Sequence, residues 1–237
     1  MRNTLTIASR QFRSYFNGPV AYIVICLVTL VIGFFFWRAF FLVGRASIRE
    51  MFTLLAYCVA FAGPALTMGL LAEEKRSGTL ELLITMPVRE AEVIFGKFLA
   101  AVGLWGVLLA CTLPIPFSVS TLGNLDWGPV WSGYLGIFLM GSAVLAIGLS
   151  FSSFTDNQLV AFFLSCFVSF LLVFVTGWIM PFLSGGVATM VDFFSFSSHL
   201  ESLARGVIDT RDVIYFLSIC GFALMVAFRA LESRRWS

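Results

Sequence analysis

The side chains best suited to bind a partner lie in a charged segment, EEKRSGTLELLITMP at residues 73–87, between two long apolar runs. Gly78 breaks the chain, and Thr79 can cap a new helix directly after it. Glu81 falls in the first turn, where the helix dipole favours an anion, and the proline at the end of the segment stops the helix about two turns later. The segment therefore predicts a short helix over about residues 79–86.

This short helix carries three apolar side chains, Leu80, Leu83 and Ile84, that it cannot bury by itself. A helix of this length is not stable alone in water. We therefore expect the three side chains to pack against another protein. The segment then works as a binding surface and not as a catalytic site.

Catalytic motifs are absent from the sequence. The pair Gly96-Lys97 is followed by Phe98 and lacks the upstream glycine of a phosphate-binding loop. There is no G-x-S-x-G or HExxH pattern, and His199 has no second histidine with which to share a metal, so its role is structural. The centres of the apolar runs also lack the charged residues that ion-coupled carriers usually keep at mid-membrane. We therefore expect no enzyme activity and no cofactor in this chain, with energy entering through the charged segment.

The composition places the chain in a lipid bilayer. Hydrophobic residues make up 59% and charged residues only 12%, whereas charged residues approach a quarter of soluble proteins. The charge-free stretches predict six transmembrane helices, and all but the sixth are as long as the roughly 20 residues that cross the hydrocarbon layer. The sixth can span if Arg229 reaches the headgroups. The predicted spans are about residues 20–42, 51–72, 98–122, 130–153, 158–182 and 213–231.

Two smaller elements accompany the spans in this all-α membrane fold, which forms a single domain over residues 1–237. Residues 1–17 place apolar and basic side chains on adjacent faces of a helix, which predicts a helix lying in the membrane interface. The outer loop at residues 183–212 contains a capping box from Ser198 to Glu201. It predicts a short re-entrant helix that Gly206 ends.

Glycine, proline and other small residues predict irregular or close-packed helices. Gly63-Pro64 should kink the second span or split it into two halves, and Pro114 and Pro116 should bend the outer end of the third. Small residues spaced along the fourth and fifth spans let helices approach closely in lipid. Packing within one subunit is favoured over a seam between two subunits.

The loop between the fourth and fifth spans is a second candidate contact. Thr155 and Gln158 have the spacing of a capping box that would start the fifth helix. Asp156 and Asn157 lie between them on the same side as the charged segment, where they could meet a partner. A plain helix cap explains the loop equally well.

The distribution of Lys and Arg predicts the orientation, because cytoplasmic segments carry the excess. One side has ten such residues and the other five, which places both termini and the charged segment in the cytoplasm. The net charge of +2 is small and scattered, so nucleic acid is not an expected partner. The ten are Arg2, Arg10, Arg13, Lys75, Arg76, Arg89, Lys97, Arg229, Arg234 and Arg235, and the five are Arg38, Arg45, Arg49, Arg205 and Arg211.

The charged segment resembles the coupling helix of the membrane subunit of a type-2 ATP-binding-cassette (ABC) exporter, most clearly in EEKRSGTLELL at residues 73–83. Three further stretches are similar to a narrower subgroup, the permeases associated with gliding motility. Together they extend the resemblance over essentially the whole chain. The stretches are RSYFNGP at residues 13–19, ARGVID at 204–209 with Arg211-Asp212, and LESRRW at 231–236.

The resemblance implies a half-transporter of the bacterial inner membrane. Two six-helix permeases pair, and each docks a cytoplasmic ABC ATPase that holds ATP and Mg and whose closure reorients the spans. The resemblance gives no substrate site. It implies a main ATPase contact at Glu73, Glu74, Gly78, Thr79, Leu80, Glu81 and Leu83, with a second contact near Asp156 and Asn157.

Two other functions compete with the permease interpretation. A membrane scaffold could use the charged segment only to anchor a cytoplasmic ATPase, and a partner with a phosphate-binding loop, encoded nearby or copurifying, would separate the two. A self-contained secondary carrier would show inverted similarity between its halves. The charged segment after the second span has no counterpart after the fifth, which disfavours the carrier.

The charge distribution gives a direct prediction of topology. Single cysteines introduced at Ser77 or Ser237 of a cysteine-free variant should be shielded from an impermeant thiol reagent in intact cells, because both lie on the predicted cytoplasmic side. A cysteine at Ser197 should react. Labelling at Ser77 from outside would reverse the orientation.

Overall fold

A computed structural model of the protein describes residues 2–43, 47–79, 89–175 and 191–233. The described residues form α-helices, a π-helical turn and their connections. We number the helices α1 Arg2–Asn17, α2 Val20–Val43, α3 Arg49–Thr67, α4 Gly69–Arg76, α5 Glu90–Thr112, α6 Pro114–Leu122, α7 Trp127–Phe154, α8 Gln158–Phe170, followed by the π-helical turn Leu171–Val175, α9 Phe196–Ala204 and α10 Thr210–Ser233.

Five stretches of the described chain are long and apolar enough to cross a membrane. The shorter apolar stretch Gln158–Phe174 begins the predicted fifth span. The remainder of that span at residues 176–182, and residues 183–190 of the predicted outer loop, lie outside the described residues. The all-helical membrane fold is thus confirmed, with five candidate spans where six were predicted. The five are Val20–Leu42, Arg49–Arg76, Glu90–Leu122, Trp127–Phe154 and Thr210–Glu232.

The predicted second span is split, as expected, but the break lies at Met68 and not at Gly63-Pro64. Helix α3 continues through Pro64, whose carbonyl still accepts a hydrogen bond from the Met68 amide at 2.9 Å. In an unbroken helix the Ala72 amide would bond to the Met68 carbonyl. Here the hydroxyl of Ser152 stands between these two groups. An inserted side chain, not proline, therefore breaks the helix.

The third span is longer than predicted and is interrupted where a bend was predicted. Helix α5 begins at Glu90, well before residue 98, because the Glu92 carboxylate accepts a hydrogen bond from the Arg89 amide at 3.3 Å and caps the start. It ends at Thr112, and α6 starts at Pro114, which has no amide hydrogen to continue the helix.

Two predicted helix starts were misplaced by a few residues. Helix α8 is capped by Asn157 and not by Thr155, since the Asn157 side chain accepts a hydrogen bond from the Leu159 amide at 3.0 Å. Helix α9 is capped by Ser195 and not by Ser198. Short polar side chains close together compete for the same free amides, so spacing alone does not identify the cap. Gly206 follows α9 with a φ of +95°, as its predicted terminating role requires.

Helix α1 is present as predicted, and it packs along α5. Ile7 contacts Gly96, and Phe12 contacts Gly103, which lies about two turns further along α5. The Tyr15 hydroxyl donates a hydrogen bond to the Leu66 carbonyl of α3 at 3.0 Å. This amphipathic helix is therefore attached to the two helices that flank the charged segment.

Helix α7 lies at the centre of the bundle, and every residue from 140 to 150 is buried. Its glycines allow α3, α5 and α9 to approach closely, since a Cβ at these positions would meet a neighbouring side chain. The small residues of this span thus serve packing within one subunit. The contacts are Gly133 with Phe52 and Gly148 with Thr67 of α3, Gly141 with Trp105 of α5, and Gly136 with Leu203 of α9.

The contact at Gly141 predicts a loss of stability on adding one methyl group. Trp105 is 1% exposed and its indole nitrogen donates to the Ile137 carbonyl at 3.3 Å, so the ring cannot move away. Gly141→Ala should cost about 1–3 kcal/mol through overpacking and lower the thermal midpoint in detergent by several degrees. Gly221→Ala in α10, which meets no atom within 4 Å, is the matched control. Equal midpoints for the two variants would contradict this packing.

Candidate functional site

The predicted partner contact begins on α4. Glu73 and Glu74 lie in its second half, and Gly78 and Thr79 follow its end. Leu80, Glu81, Leu83 and the rest of the predicted helix at 79–86 lie outside the described residues, apart from Thr79 itself. The first part of α4 is buried, whereas Glu73 and residues 76–79 are exposed. The described part of the contact thus consists of the buried start of α4 and its charged, largely exposed end.

The buried start of α4 is held in place by Ser152 of α7. Its hydroxyl accepts hydrogen bonds from the amides of Leu71 and Ala72, both at 3.1 Å. It also lies 2.9 Å from the Met68 carbonyl, to which it can donate. These are the backbone groups left free by the break between α3 and α4. One hydroxyl group of α7 therefore satisfies both sides of the break.

Lys97 of α5 holds α4 from another side. Its ammonium group lies 2.6 Å from a carboxylate oxygen of Glu74 and donates to the Leu70 carbonyl at 2.5 Å. Leu70 and Glu74 are four residues apart and so lie on one face of α4. Lys97 is only 2% exposed. Lys97 was counted for the predicted orientation but was not assigned a contact from the sequence, although a single lysine at the start of an apolar run was the available signal.

Lys75 completes the attachment of α4. Its ammonium group donates a hydrogen bond to the Ser153 carbonyl in the last turn of α7. A cation is favoured there, because the carbonyl end of a helix carries partial negative charge. Side chains therefore connect the charged end of α4 to both α5 and α7.

The structure brings the two predicted contacts next to each other. Asp156 and Asn157 are exposed in the loop that follows α7. The side chain of Gln158 lies beside Gly69, since a Cβ there would be 3.7 Å from its amide nitrogen. We call the exposed residues of the two segments the docking surface. It comprises Glu73, Arg76, Ser77, Gly78, Thr79, Asp156 and Asn157.

Gly78 controls how the chain leaves α4. Its φ is +70°, a conformation that side chains with a Cβ rarely adopt. Its amide donates to the Lys75 carbonyl at 3.1 Å. The Ser77 hydroxyl donates to the Glu73 carbonyl at 2.9 Å, and the Thr79 hydroxyl turns back to the Glu74 carbonyl at 3.3 Å. The predicted helix break is confirmed, and its geometry depends on glycine.

A comparison with protein families assigns the chain. The model of the ABC-2 family transporter protein matches residues 40–229. The chain belongs to the ABC-2 transporter family. A comparison with curated proteins gives no match. The narrower similarity to gliding-motility permeases stays a prediction.

The matched region of this ABC-2 protein contains the whole docking surface and all of its attachments, from the end of α2 to most of α10. The family comprises membrane components of transporters, which generally work with a cytoplasmic ABC ATPase. The arrangement suits this role in chemical terms. It offers exposed charges for binding and buried hydrogen bonds for rigidity. Within the described ranges no group of three or more His, Cys, Asp or Glu side chains is placed to hold a metal.

The ion pair between Lys97 and Glu74 predicts different effects for two neighbouring substitutions. Glu74→Gln leaves the buried ammonium group without its counter-charge. The free energy of unfolding should fall by about 2–3 kcal/mol, which is less than for a fully buried pair because Glu74 is about a third exposed. Glu73→Gln removes the same charge from an exposed position and should have little effect. Thermal unfolding of the purified protein measures both. Equal destabilisation by the two changes would contradict the role of Lys97.

Proposed function

We propose that this protein is the permease subunit of an ABC transporter of the bacterial inner membrane. It pairs with a second permease and couples ATP hydrolysis by separate ATPase subunits, which hold the ATP and Mg, to movement of a substrate. The family match over residues 40–229 is the observation that carries the proposal. ATPase docking extends the proposal on the strength of the docking surface, and pairing extends it on the resemblance to type-2 ABC exporters.

The attachments of α4 support a coupling role. A force on the docking surface passes through Lys97 to α5 and through Ser152 and Ser153 to α7. Both are long apolar helices that could span the membrane. Movement of a docked ATPase would therefore reach two spans directly. A surface loop without such attachments would absorb the movement.

The proposed orientation also assigns a side of the membrane to the remaining elements. With the docking surface in the cytoplasm, the N-terminal end of α3 and helix α9 lie on the outer side. Helix α9 packs against Gly136, which lies well inside α7. The chain then comes back to the start of α7, where Gly206 contacts Pro129. This path supports a short re-entrant helix. In this proposal helix α1, which packs on α5, lies in the membrane interface.

The predicted helix over residues 79–86 gives the sharpest test of ATPase docking. Leu80→Glu combined with Leu83→Glu should abolish copurification of the ATPase, because each buried leucine contributes about 1.5–3 kcal/mol and each new charge would enter an apolar contact. Leu80→Met with Leu83→Met keeps volume and polarity, and it should retain the ATPase. Both variants should reach the membrane in normal amounts. Full retention of the ATPase by the glutamate variant would refute docking through this helix.

Substitutions at Gly78 distinguish a coupling role from the simple anchoring of an ATPase. Gly78→Val strains the turn at positive φ and should reduce the ATP turnover of the assembled complex more than it reduces ATPase copurification. Gly78→Asn is the matched control, because asparagine tolerates this conformation. A scaffold that only anchors an ATPase would show the same turnover per bound ATPase in both variants.

A further inference from the structure

Two cavities meet at Tyr57 of α3. One is a groove of about 560 Å³ between α2 and α3, closed on one side by Phe162 of α8. The other is a cavity of about 370 Å³ bounded by the first turns of α3, the π-helical turn and α9, and we call it the mouth. Tyr57 lines both cavities. The two cavities therefore lie next to each other along α3.

The groove is apolar along its whole length. On α3 it runs from Leu54 to Ala65, and on α2 from Ile23 to Phe35. Eleven residue steps at 1.5 Å give a length of about 17 Å. Half of a hydrocarbon layer of about 30 Å is about 15 Å. The groove thus has the length and polarity of the hydrocarbon of one leaflet.

The mouth combines an apolar floor with a charged rim. Arg49 and Glu50, both exposed in the first turn of α3, supply opposite charges. Neither forms an ion pair with another residue in the described parts of the chain. Glu201 also lines the mouth, but its carboxylate already binds Arg205 at 2.5 Å. The mouth therefore offers one cationic and one anionic group side by side.

An aromatic stack marks the boundary between the two cavities. The Tyr57 ring stacks on Phe174 with centroids 4.3 Å apart, and Phe174 stacks on Phe170 at 4.4 Å. Tyrosine suits such a boundary, since its ring is apolar and its hydroxyl is polar. The polarity of the cavities along α3 thus changes at Tyr57, from hydrocarbon-like to charged.

We propose that the groove and the mouth together bind one amphiphile with a zwitterionic headgroup. One apolar chain of the ligand lies in the groove. Its anionic group binds Arg49 and its cationic group binds Glu50. Binding needs neither nucleotide nor an ATPase, so the proposal can fail independently of the transport role.

A second copy of this chain is the other occupant that an apolar face could accept. Such a partner would have to bury the charges of Arg49 and Glu50 at the end of the groove, which is costly without matched charges. A headgroup with both charges matches them directly. The observations therefore favour the amphiphile, and the experiment tests the second copy as well.

The test uses the full-length protein in lipid nanodiscs that contain a phosphatidylethanolamine with a photoreactive diazirine on one acyl chain. After illumination, labelled peptides are measured from the groove and from the exposed face of α10 at Phe222 and Met225, which reports ordinary lipid contact. The groove should be labelled several-fold more than α10. Arg49→Gln and Glu50→Gln should each reduce groove labelling several-fold without changing α10. Arg211→Gln, another exposed arginine on the same predicted side, should have no effect.

Three results would overturn the proposal. The first is equal labelling of the groove and of α10 in the unaltered protein, which would mean bulk lipid only. The second is groove labelling that is unchanged by both charge substitutions and is equally strong with a diacylglycerol probe that has no charged headgroup. The third is an unlabelled groove together with disulfide crosslinking between copies through Leu27→Cys, which would assign the face to a second copy.

Discussion

The docking surface depends on the hydrogen bonds of a few backbone groups at the break between α3 and α4. A broken helix in an apolar environment leaves amide and carbonyl groups that must find partners, because an unsatisfied buried group costs several kcal/mol. Ser152 supplies the partner for Leu71, Ala72 and Met68. Lys97 adds a hydrogen bond to the Leu70 carbonyl within α4. The same bonds that satisfy the break also determine the position of α4.

This arrangement requires α3 and α7 to lie very close together. Gly148, four residues before Ser152, faces Thr67 at the end of α3 with no room for a Cβ. Packing without side chains at that point brings the Ser152 hydroxyl within reach of the α4 backbone. The polar contacts of α4 thus depend on the close packing that the glycines of α7 allow. A shift of α4 cannot occur without a change at the α3, α5 and α7 contacts, which is the property that a coupling element needs.

The sequence predicted the features that follow from local rules. The apolar runs, the helix interruption before Pro114 and the helix break at Gly78 all depend on neighbouring residues, and the structure bears them out. Lys97 and Ser152 could not be assigned a role, since their partners lie far away in the chain and become neighbours only through helix packing. The break at Met68 was missed for the same reason, because it depends on a side chain inserted from α7.

We propose that this ABC-2 protein transmits work done by a separate ATPase. The most direct measurement is to purify the protein from its own membranes in mild detergent, identify the copurifying proteins and assay ATP turnover. We expect a stoichiometric cytoplasmic subunit with a phosphate-binding loop, and magnesium-dependent turnover that disappears when this subunit is removed. Turnover by the isolated chain, or a stable complex without a nucleotide-binding subunit, would contradict it.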